Sequence, residues 1–186
     1  MRHLDLMRFR PAREPDAPMV AALHAASWRR HYRGAYSDTY LDGDVIDDRV
    51  ALWNDRLREP SDRQYTLLAE EDDVVVGFAH TILDEHPTWG ALLDNLHVSD
   101  GFQRRGIGGR LLRLSAEVVA ERTPGSGFYL WVLEQNRPAQ SFYRALGGRC
   151  IQRADVPPPG GVPARLNGSP ACLRYAWPEA REVLQT

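Results

Sequence analysis

The amino-acid sequence predicts an α+β fold, in which helices flank one central β-sheet. The main observation is a change of period. Apolar residues recur at helical spacing up to about residue 58, and alternating or branched apolar runs begin at Gln64. A second observation is a short strand pattern that passes through a glycine-rich turn, residues 103–109, into an amphipathic helix. The 186 residues carry no internal repeat, so we expect a single domain over 1–186.

Composition excludes several classes of protein. A formal net charge of −2 argues against a nucleic-acid-binding protein that works by bulk attraction. The sequence shows neither a signal peptide nor a membrane-spanning segment, so we expect a cytoplasmic protein without a membrane partner. The two cysteines, Cys150 and Cys172, are too few for a disulfide framework. We expect buried thiols, and the alternative is a disulfide between neighbouring strands.

The N-terminal third of the sequence predicts one strand and two helices. Residues 1–5 are expected to be frayed, and the alternation over 6–10 predicts an edge strand that ends at Pro11. A helix capped by Asp16 and a second helix over 44–58 follow. Four aromatic residues near helical spacing either fill the core or line a substrate pocket, where rigid amphipathic rings are useful. They are Trp28, Tyr32, Tyr36 and Tyr40.

The remaining sequence predicts six strands and two helices. Strands over 65–69 and 74–83 form a hairpin, and its acidic tip, 70–73, is expected to be solvated and not to bind a metal. A third strand, over 91–98, precedes the long helix. The last predicted elements are a strand over 128–133, a helix over 138–146, and strands over 149–152 and 172–177, with a proline-rich loop over 154–170 between these two strands.

The glycine-rich turn from Gln103 to Gly109 is typical of an anion-binding site. The first amides of a helix have no internal partner, and the helix dipole favours negative charge there. A nucleotide P-loop is excluded because the chain contains no lysine, and the dinucleotide fingerprint fails because Leu111 replaces its third glycine. Taken alone, the turn is either a phosphate-binding loop or an ordinary strand-to-helix turn.

A second motif follows the predicted strand over 128–133. Asn136 stands just beyond that strand, Ala139 comes three residues later, and Phe142-Tyr143 precede the glycines that close the helix. Together with the pattern Gln-x-x-Gly-x-Gly in the turn, this motif resembles the GNAT superfamily of N-acetyltransferases, which bind acetyl-coenzyme A. The resemblance is close over residues 74–148.

This resemblance implies the GNAT fold. That fold has a central mixed, mostly antiparallel, twisted sheet of about seven strands, which is flanked by helices and splayed between the fourth and fifth strands. The resemblance also implies acetyl-CoA as the cofactor, an amine as the acceptor and a homodimer as the assembly. It implies that the backbone amides of the turn bind the pyrophosphate and that the strand before the turn binds the pantetheine arm. The asparagine either bonds this arm or caps its helix. These cofactor-binding residues are Leu96, His97, Val98, Arg104, Arg105, Gly106, Ile107, Gly108, Gly109 and Asn136.

The resemblance makes Tyr143 the acid that protonates the thiolate leaving group. Proton transfer from a tyrosine of pKa about 10 to a thiolate of pKa about 8.5 is uphill by only about 2 kcal/mol. The alternative is a tyrosine that packs on the strand. Asp94 is the candidate base, because the alternation of side chains along a strand places it on the same face as Leu96. The alternative role of Asp94 is a structural hydrogen bond. His97 and Glu134 are the other candidate bases.

The acceptor site is the least defined part of the prediction. Some relatives, including those that modify protein N-termini, carry a carboxylate five residues before the asparagine, where this chain has Trp131. We therefore expect Trp131 to line the acceptor pocket with Trp28 and Tyr32, and we expect no metal site. The predicted reaction moves an acetyl group to a primary amine of a small molecule by direct attack through a tetrahedral intermediate. The alternatives are acetylation of a protein or peptide amine and a non-catalytic acyl-CoA-binding regulatory domain.

Overall fold

The computed structural model describes residues 7–185, and a seven-stranded sheet forms the centre of this region. The strands are β1 (Arg8–Pro11), β2 (Gln64–Glu71), β3 (Val74–His86), β4 (Gly90–Val98), β5 (Phe128–Leu133), β6 (Arg149–Asp155) and β7 (Ala171–Trp177). They lie side by side in the order β1-β2-β3-β4-β5-β7-β6. The fraying expected for residues 1–5 falls outside the described residues.

The sheet is mixed and open. β4 and β5 run parallel, whereas the other neighbouring pairs are antiparallel. The two parallel strands pair only at Ala91–Phe128 and Leu92–Tyr129, and beyond these residues they diverge. The predicted mixed, mostly antiparallel sheet with a splay between its fourth and fifth strands is therefore confirmed.

Five α-helices of the described region cover the two faces of this sheet. They are α1 (Ala17–His31), α2 (Asp38–Asp42), α3 (Val45–Arg58), α4 (Ile107–Arg122) and α5 (Arg137–Ala145). The apolar stripe of α4 is buried against one face, and α5 packs beside it. α1 and α3 cover the opposite face, where Trp53 and Phe78 are fully buried. Within residues 7–185, no helix combines the length and apolar character needed to cross a membrane.

The acidic segment at the β2–β3 hairpin differs from its prediction. Glu70 is only 6% exposed, because Arg10 of the edge strand β1 pairs with it. Arg10 also bonds Asp16 at 2.7 Å, and Asp16 accepts from the Arg13 amide at 2.7 Å. Asp16 therefore makes no side-chain cap to α1. The expectation of a solvated acidic run is wrong at Glu70, since the neighbouring strand places a guanidinium beside it.

The register of β6 and β7 separates the two cysteines. Cys150 lies opposite Tyr175, and Cys172 lies opposite Ala154. Both thiols are free; Cys172 is buried as expected, but Cys150 is exposed. The prediction of a buried Cys150 is wrong because β6 is the edge strand and is exposed along most of its length.

Candidate active site

A cavity of about 480 Å³ lies where β4 and β5 diverge. Its walls come from the second half of β4, the first turn of α4, β5 with α5, and the end of α1. A cavity of this size is typical of small-molecule sites. Because the strands part here, the edge of β4 that faces β5 has no neighbouring strand beyond Leu92 within residues 7–185, and its backbone groups are open to a ligand.

The turn before α4 presents its backbone to the cavity. Arg104 and Gly106 both have positive φ angles, 59° and 85°, and glycine adopts this conformation at no steric cost. The first backbone hydrogen bond of α4 runs from the Arg110 amide to the Gly106 carbonyl at 3.0 Å. The three amides before Arg110 therefore have no acceptor within the helix and are available to an anion.

Gly108 keeps this part of the cavity open. A β-carbon on Gly108 would lie 3.6 Å from Phe142 and 3.8 Å from Val98, which are ordinary van der Waals distances. Both neighbours line the cavity. A β-carbon alone is thus tolerated, whereas a large side chain would project between two cavity walls.

The side chains of the turn divide between the cavity and the rest of the protein. Ile107 is buried in the core under α4. Arg105 donates to the Gly101 carbonyl at 2.8 Å and stacks on the ring of Phe102. Ile107 and Arg105 are thus engaged elsewhere and do not line the cavity. The turn residues that do line it are Arg104, Gly106, Gly108 and Gly109.

Asn136 lies on the cavity wall just after β5. Its side-chain oxygen accepts from the Ala139 amide at 3.3 Å and so caps α5. Gln140 supports this connection, because its side-chain amide donates to the Glu134 carbonyl at 2.7 Å. The structure therefore shows the capping role of Asn136, and its contact with the cofactor arm stays a prediction.

Tyr143 lies on α5, is 8% exposed and lines the cavity. Its ring contacts Phe142 and Tyr175. Burial raises the pKa of its hydroxyl above the ordinary value of 10.0, and the neighbouring Tyr32 raises it further. The hydroxyl is therefore a proton donor throughout the physiological pH range.

A β-bulge in β4 changes the predicted position of Asp94. The register with β3 shifts between Leu93 and Asn95, so Asp94 is the extra residue. Asp94 lines the cavity, and its carboxylate pairs with Arg56 of α3 at 2.9 Å. Leu96 also lines the cavity, but it packs against the core on the α4 face. The expectation that Asp94 and Leu96 share a face is wrong, because the bulge breaks the alternation between them.

His97 lies on β4 beneath α1. Its Nδ1 atom is 2.7 Å from the Ser27 hydroxyl of α1, and both residues line the cavity. Burial lowers the pKa of His97 to about 3, and the charges of His31 and Arg49 contribute. His97 is therefore neutral at physiological pH and lacks the pKa near 7 that suits a general base.

Aromatic side chains form the rest of the cavity wall. Tyr32 and Trp131 line it. Trp28 was expected to line the cavity beside them, but it does not. It is 8% exposed, packs against Tyr36 in a core cluster, and has the Arg49 guanidinium 4.2 Å from its ring centre. The prediction for Trp28 is wrong because α1 turns this ring into the core between the helices and the loop before β7.

The sequence analysis missed the cavity residues of α1. Ser27 and His31 line the cavity one helical turn apart, and neither belongs to a motif. The available signal was a polar line on an otherwise apolar helix, because His24, Ser27 and His31 recur at spacings of three and four residues. Such a line indicates a helix face that meets something other than an apolar core.

Known proteins that resemble this chain identify its family. The family model of the GNAT acetyltransferases matches residues 25–147. A probable N-acetyltransferase of Mycobacterium tuberculosis is 30% identical over 141 residues, which cover 74% of this chain and 76% of that relative. The chain belongs to the GNAT family.

Solved GNAT structures share the fold. The PaiA N-acetyltransferase of Thermoplasma acidophilum, in complex with coenzyme A, has a TM-score of 0.69 at 21% identity, with 92% of this chain and 99% of that chain covered. Arabidopsis thaliana NAA60, in complex with a bisubstrate analogue, has a TM-score of 0.63 at 16% identity, with 92% and 97% covered. At these sequence identities, the structural likeness shows a shared fold and nothing further.

As a GNAT acetyltransferase, the protein uses acetyl-CoA. The cavity suits this donor on two counts. The free amides before Arg110 match a pyrophosphate, and the open edge of β4 can bond an extended arm with amide groups. Residues 7–185 contain no group of three or more His, Cys, Asp or Glu side chains that could hold a metal ion.

Proposed function

We propose that this acetyltransferase acts on a primary amine of a small molecule. The observation that supports the proposal most is the position of the loop over 156–170. The Ser37 amide donates to the Arg165 carbonyl at 2.9 Å, and the Arg165 guanidinium lies 3.0 Å from the Asp48 carboxylate. The loop is thereby fastened to α3 and to the segment between α1 and α3, where an extended peptide would otherwise lie beside β6 and β7.

The reaction in this proposal is a direct attack through a tetrahedral intermediate. The amine nitrogen bonds to the thioester carbon, the carbon–sulfur bond breaks, and the thiolate takes a proton from Tyr143. Burial keeps the Tyr143 hydroxyl protonated, as an acid must be. A backbone amide near Leu96, on the open edge of β4, is the candidate donor to the oxyanion, and loss of one such donor costs on the order of 3 kcal/mol.

Asp94 is the base in this proposal. Its charge acts on the Tyr32 and Tyr129 hydroxyls, whose pKa values are raised mainly by burial and further by Asp94. The ion pair with Arg56 holds its carboxylate in place. Of the other candidates, His97 has a pKa of about 3, and Glu134 does not line the cavity because it pairs with Arg153 at 3.0 Å.

Tyr32, Asp94 and Trp131 together form what we call the acceptor wall. They come from the end of α1, from the bulge of β4 and from β5. Two aromatic rings and one carboxylate suit an amine: the rings supply contact area, and the carboxylate attracts the ammonium form and accepts its proton.

The proposal is tested with purified protein, acetyl-CoA and two panels of acceptors, small primary amines and peptides. A thiol reagent follows the release of free coenzyme A, and mass spectrometry identifies the acetylated product. We expect turnover of one or more small amines and of no peptide. Turnover of peptides alone would overturn the proposal in favour of peptide acetylation. Binding of acetyl-CoA without thiol release in either panel would indicate a non-catalytic acyl-CoA-binding domain.

A further inference from the structure

Arg174 of β7 is a buried arginine that has no anionic partner within residues 7–185. The residue is 8% exposed, and its Nε atom is shielded from solvent and has no hydrogen-bond acceptor. Among the residues that the structure describes, none forms an ion pair or a hydrogen bond with the guanidinium group. A buried charge that lacks such a partner is costly, so Arg174 needs a compensating environment.

Arg49 shows how the same protein satisfies another buried arginine. It is also 8% exposed, and its Nε atom likewise has no hydrogen-bond acceptor in the described part of the chain. Its charge is nevertheless paired, because Arg49 forms an ion pair with Asp48 and lies over Trp28. Arg174 has the aromatic contacts without the carboxylate. The comparison identifies the missing partner of Arg174 as an anion.

Three aromatic rings surround the Arg174 guanidinium. Its central carbon lies 4.5 Å from the ring centre of Trp131, 5.0 Å from that of Tyr129 and 5.7 Å from that of Trp89. The negative faces of these rings offset part of the cost of burying the charge. They do not supply an acceptor to the Nε–H donor, which is shielded from solvent and requires an oxygen acceptor.

The same rings connect Arg174 to the acceptor wall. Trp131 lies directly opposite Arg174 in the pairing of β5 with β7. Trp131 lines the cavity, whereas Arg174 lies behind its ring and is not a lining residue. Tyr129 stands two residues before Trp131 on the same strand face, and the charges of Glu85, Arg174 and Asp94 all act on its hydroxyl. A carboxylate and an unpartnered guanidinium therefore lie around one group of aromatic rings, beside the cavity.

We propose that Arg174 binds a carboxylate of the acceptor, so that the substrate class is small amines that carry a carboxylate, such as α-amino acids. This inference rests on the proposed function and deepens it. A guanidinium binds a carboxylate through two parallel N–H···O bonds, which supplies the oxygen acceptors that Arg174 lacks. Asp94 receives the ammonium end of the same molecule. Opposite charges on one wall thus match the two ends of a zwitterion.

The test compares each α-amino acid with its α-amide, which has the same shape and no carboxylate. Rates are compared at equal concentrations of unprotonated amine, because the amide is the weaker base. We expect the kcat/KM of the wild type for a turned-over acid to exceed that for its amide by about 10- to 100-fold, the range of a charge-assisted pair. In Arg174→Met, kcat/KM for the acid falls to the level of the amide, whereas that for the amide changes by less than about threefold.

Two further variants make the test specific. Arg174→Lys keeps the charge but not the planar pair of donors, so we expect it to keep part of the preference for the acid. Arg149→Met removes an exposed arginine from the neighbouring strand β6, and we expect it to leave both rates unchanged. Thermal unfolding and coenzyme A affinity, measured for each variant, show whether it folds and binds its donor.

Equal wild-type kcat/KM values for acids and amides would overturn the inference and leave the proposed function intact. An equal loss for both substrates in Arg174→Met would also overturn it and would indicate a packing role. Where no amine is turned over, which contradicts the proposed function, calorimetry with coenzyme A present measures binding of the N-acetylated acids and of their amides. A preference for the acids that Arg174→Met abolishes then supports the inference, and equal affinities overturn it.

Discussion

The two sides of the cavity are built from different parts of the polypeptide. The turn before α4 binds through backbone amides, and its shape depends on the left-handed conformations of Arg104 and Gly106. The acceptor wall uses side chains from three separate elements, at Tyr32, Asp94 and Trp131. A binding site made of backbone amides does not depend on side-chain identity. It can therefore bind the same ligand while the side chains of the opposite cavity wall differ. This division explains why the turn identifies the acetyl donor and carries no information about the acceptor.

The cores on the two faces of the sheet differ in composition. The core under α4 consists of aliphatic and aromatic side chains. Under α1 and α3, two buried histidines and one half-buried histidine take part. Each makes a hydrogen bond with one neighbour through Nδ1: His24 with Trp53, His80 with Thr66 and His97 with Ser27. Burial lowers the pKa of all three rings, which are neutral at physiological pH. The acceptor wall therefore lies next to a core in which hydrogen bonds fix the positions of particular side chains.

Loss of the Tyr143 hydroxyl should have the largest effect on activity. It should lower the rate of the chemical step without weakening binding of the acetyl donor. In Tyr143→Phe we expect kcat to fall by about 10²- to 10⁴-fold, the contribution of a positioned acid. Acetyl-CoA affinity, measured by calorimetry, should change by less than about threefold. In the wild type, the raised pKa of Tyr143 keeps the acid protonated, so the alkaline limb of the kcat profile should lie above pH 10.0.

Tyr175→Phe is the matched control for this change. Its buried hydroxyl has no hydrogen-bond partner among the residues that the structure describes, and its ring contacts that of Tyr143. Removal of such a hydroxyl is close to neutral, so kcat should stay at the wild-type level. Unchanged kcat in Tyr143→Phe would show that the proton reaches the thiolate by another route.

A large residue at Gly108 should have the next largest effect, on binding of the donor. In Gly108→Trp we expect acetyl-CoA affinity to fall by about 100-fold, or about 3 kcal/mol, because the indole occupies the space between Val98 and Phe142. The free energy of unfolding, measured with urea, should change by less than about 1 kcal/mol. Gly101→Trp is the control, since a β-carbon there meets nothing within 4 Å. A similar loss of affinity in both variants would contradict a specific role for Gly108.

The donor side could be predicted from sequence because its determinants are local. A left-handed Gly106 and the free amides after it arise within a few consecutive residues, and so does the Asn136 cap of α5. Within residues 7–185, the strand periods predicted all seven strands, and the ends differ mainly where β3 and β6 continue by three residues. Local rules of backbone conformation carry this information.

The acceptor side could not be predicted, because it depends on contacts between distant residues. The alternation rule failed at Asp94, where one inserted residue turns the carboxylate towards Arg56. Trp28 is in the core because α1 rotates it there, and spacing along a helix does not fix that rotation. Arg174 carries no motif, and only the pairing of β5 with β7 places it against Trp131.

Replacement of the Asp94 carboxylate by an amide should have the smallest effect, and it tests the base on the acceptor wall. In Asp94→Asn we expect kcat/KM to fall by about 10-fold near neutral pH, less than the 10²- to 10⁴-fold of a positioned acid or base, because solvent also takes the proton of the amine. The deficit should shrink as pH rises towards the pKa of the acceptor amine, because the amine then loses its proton to solvent without help. The measurement is a pH profile of kcat/KM for wild type and variant with one amine.

The profile distinguishes a base from a structural residue, since only the deficit of a base depends on the protonation of the substrate. Arg56→Gln breaks the same ion pair while it keeps the Asp94 carboxylate, so it should show a deficit that does not vary with pH. Asp55→Asn removes an exposed carboxylate of α3 and should match the wild type. A constant deficit in Asp94→Asn, equal to that of Arg56→Gln, would mean that Asp94 positions β4 against α3 and that solvent takes the proton.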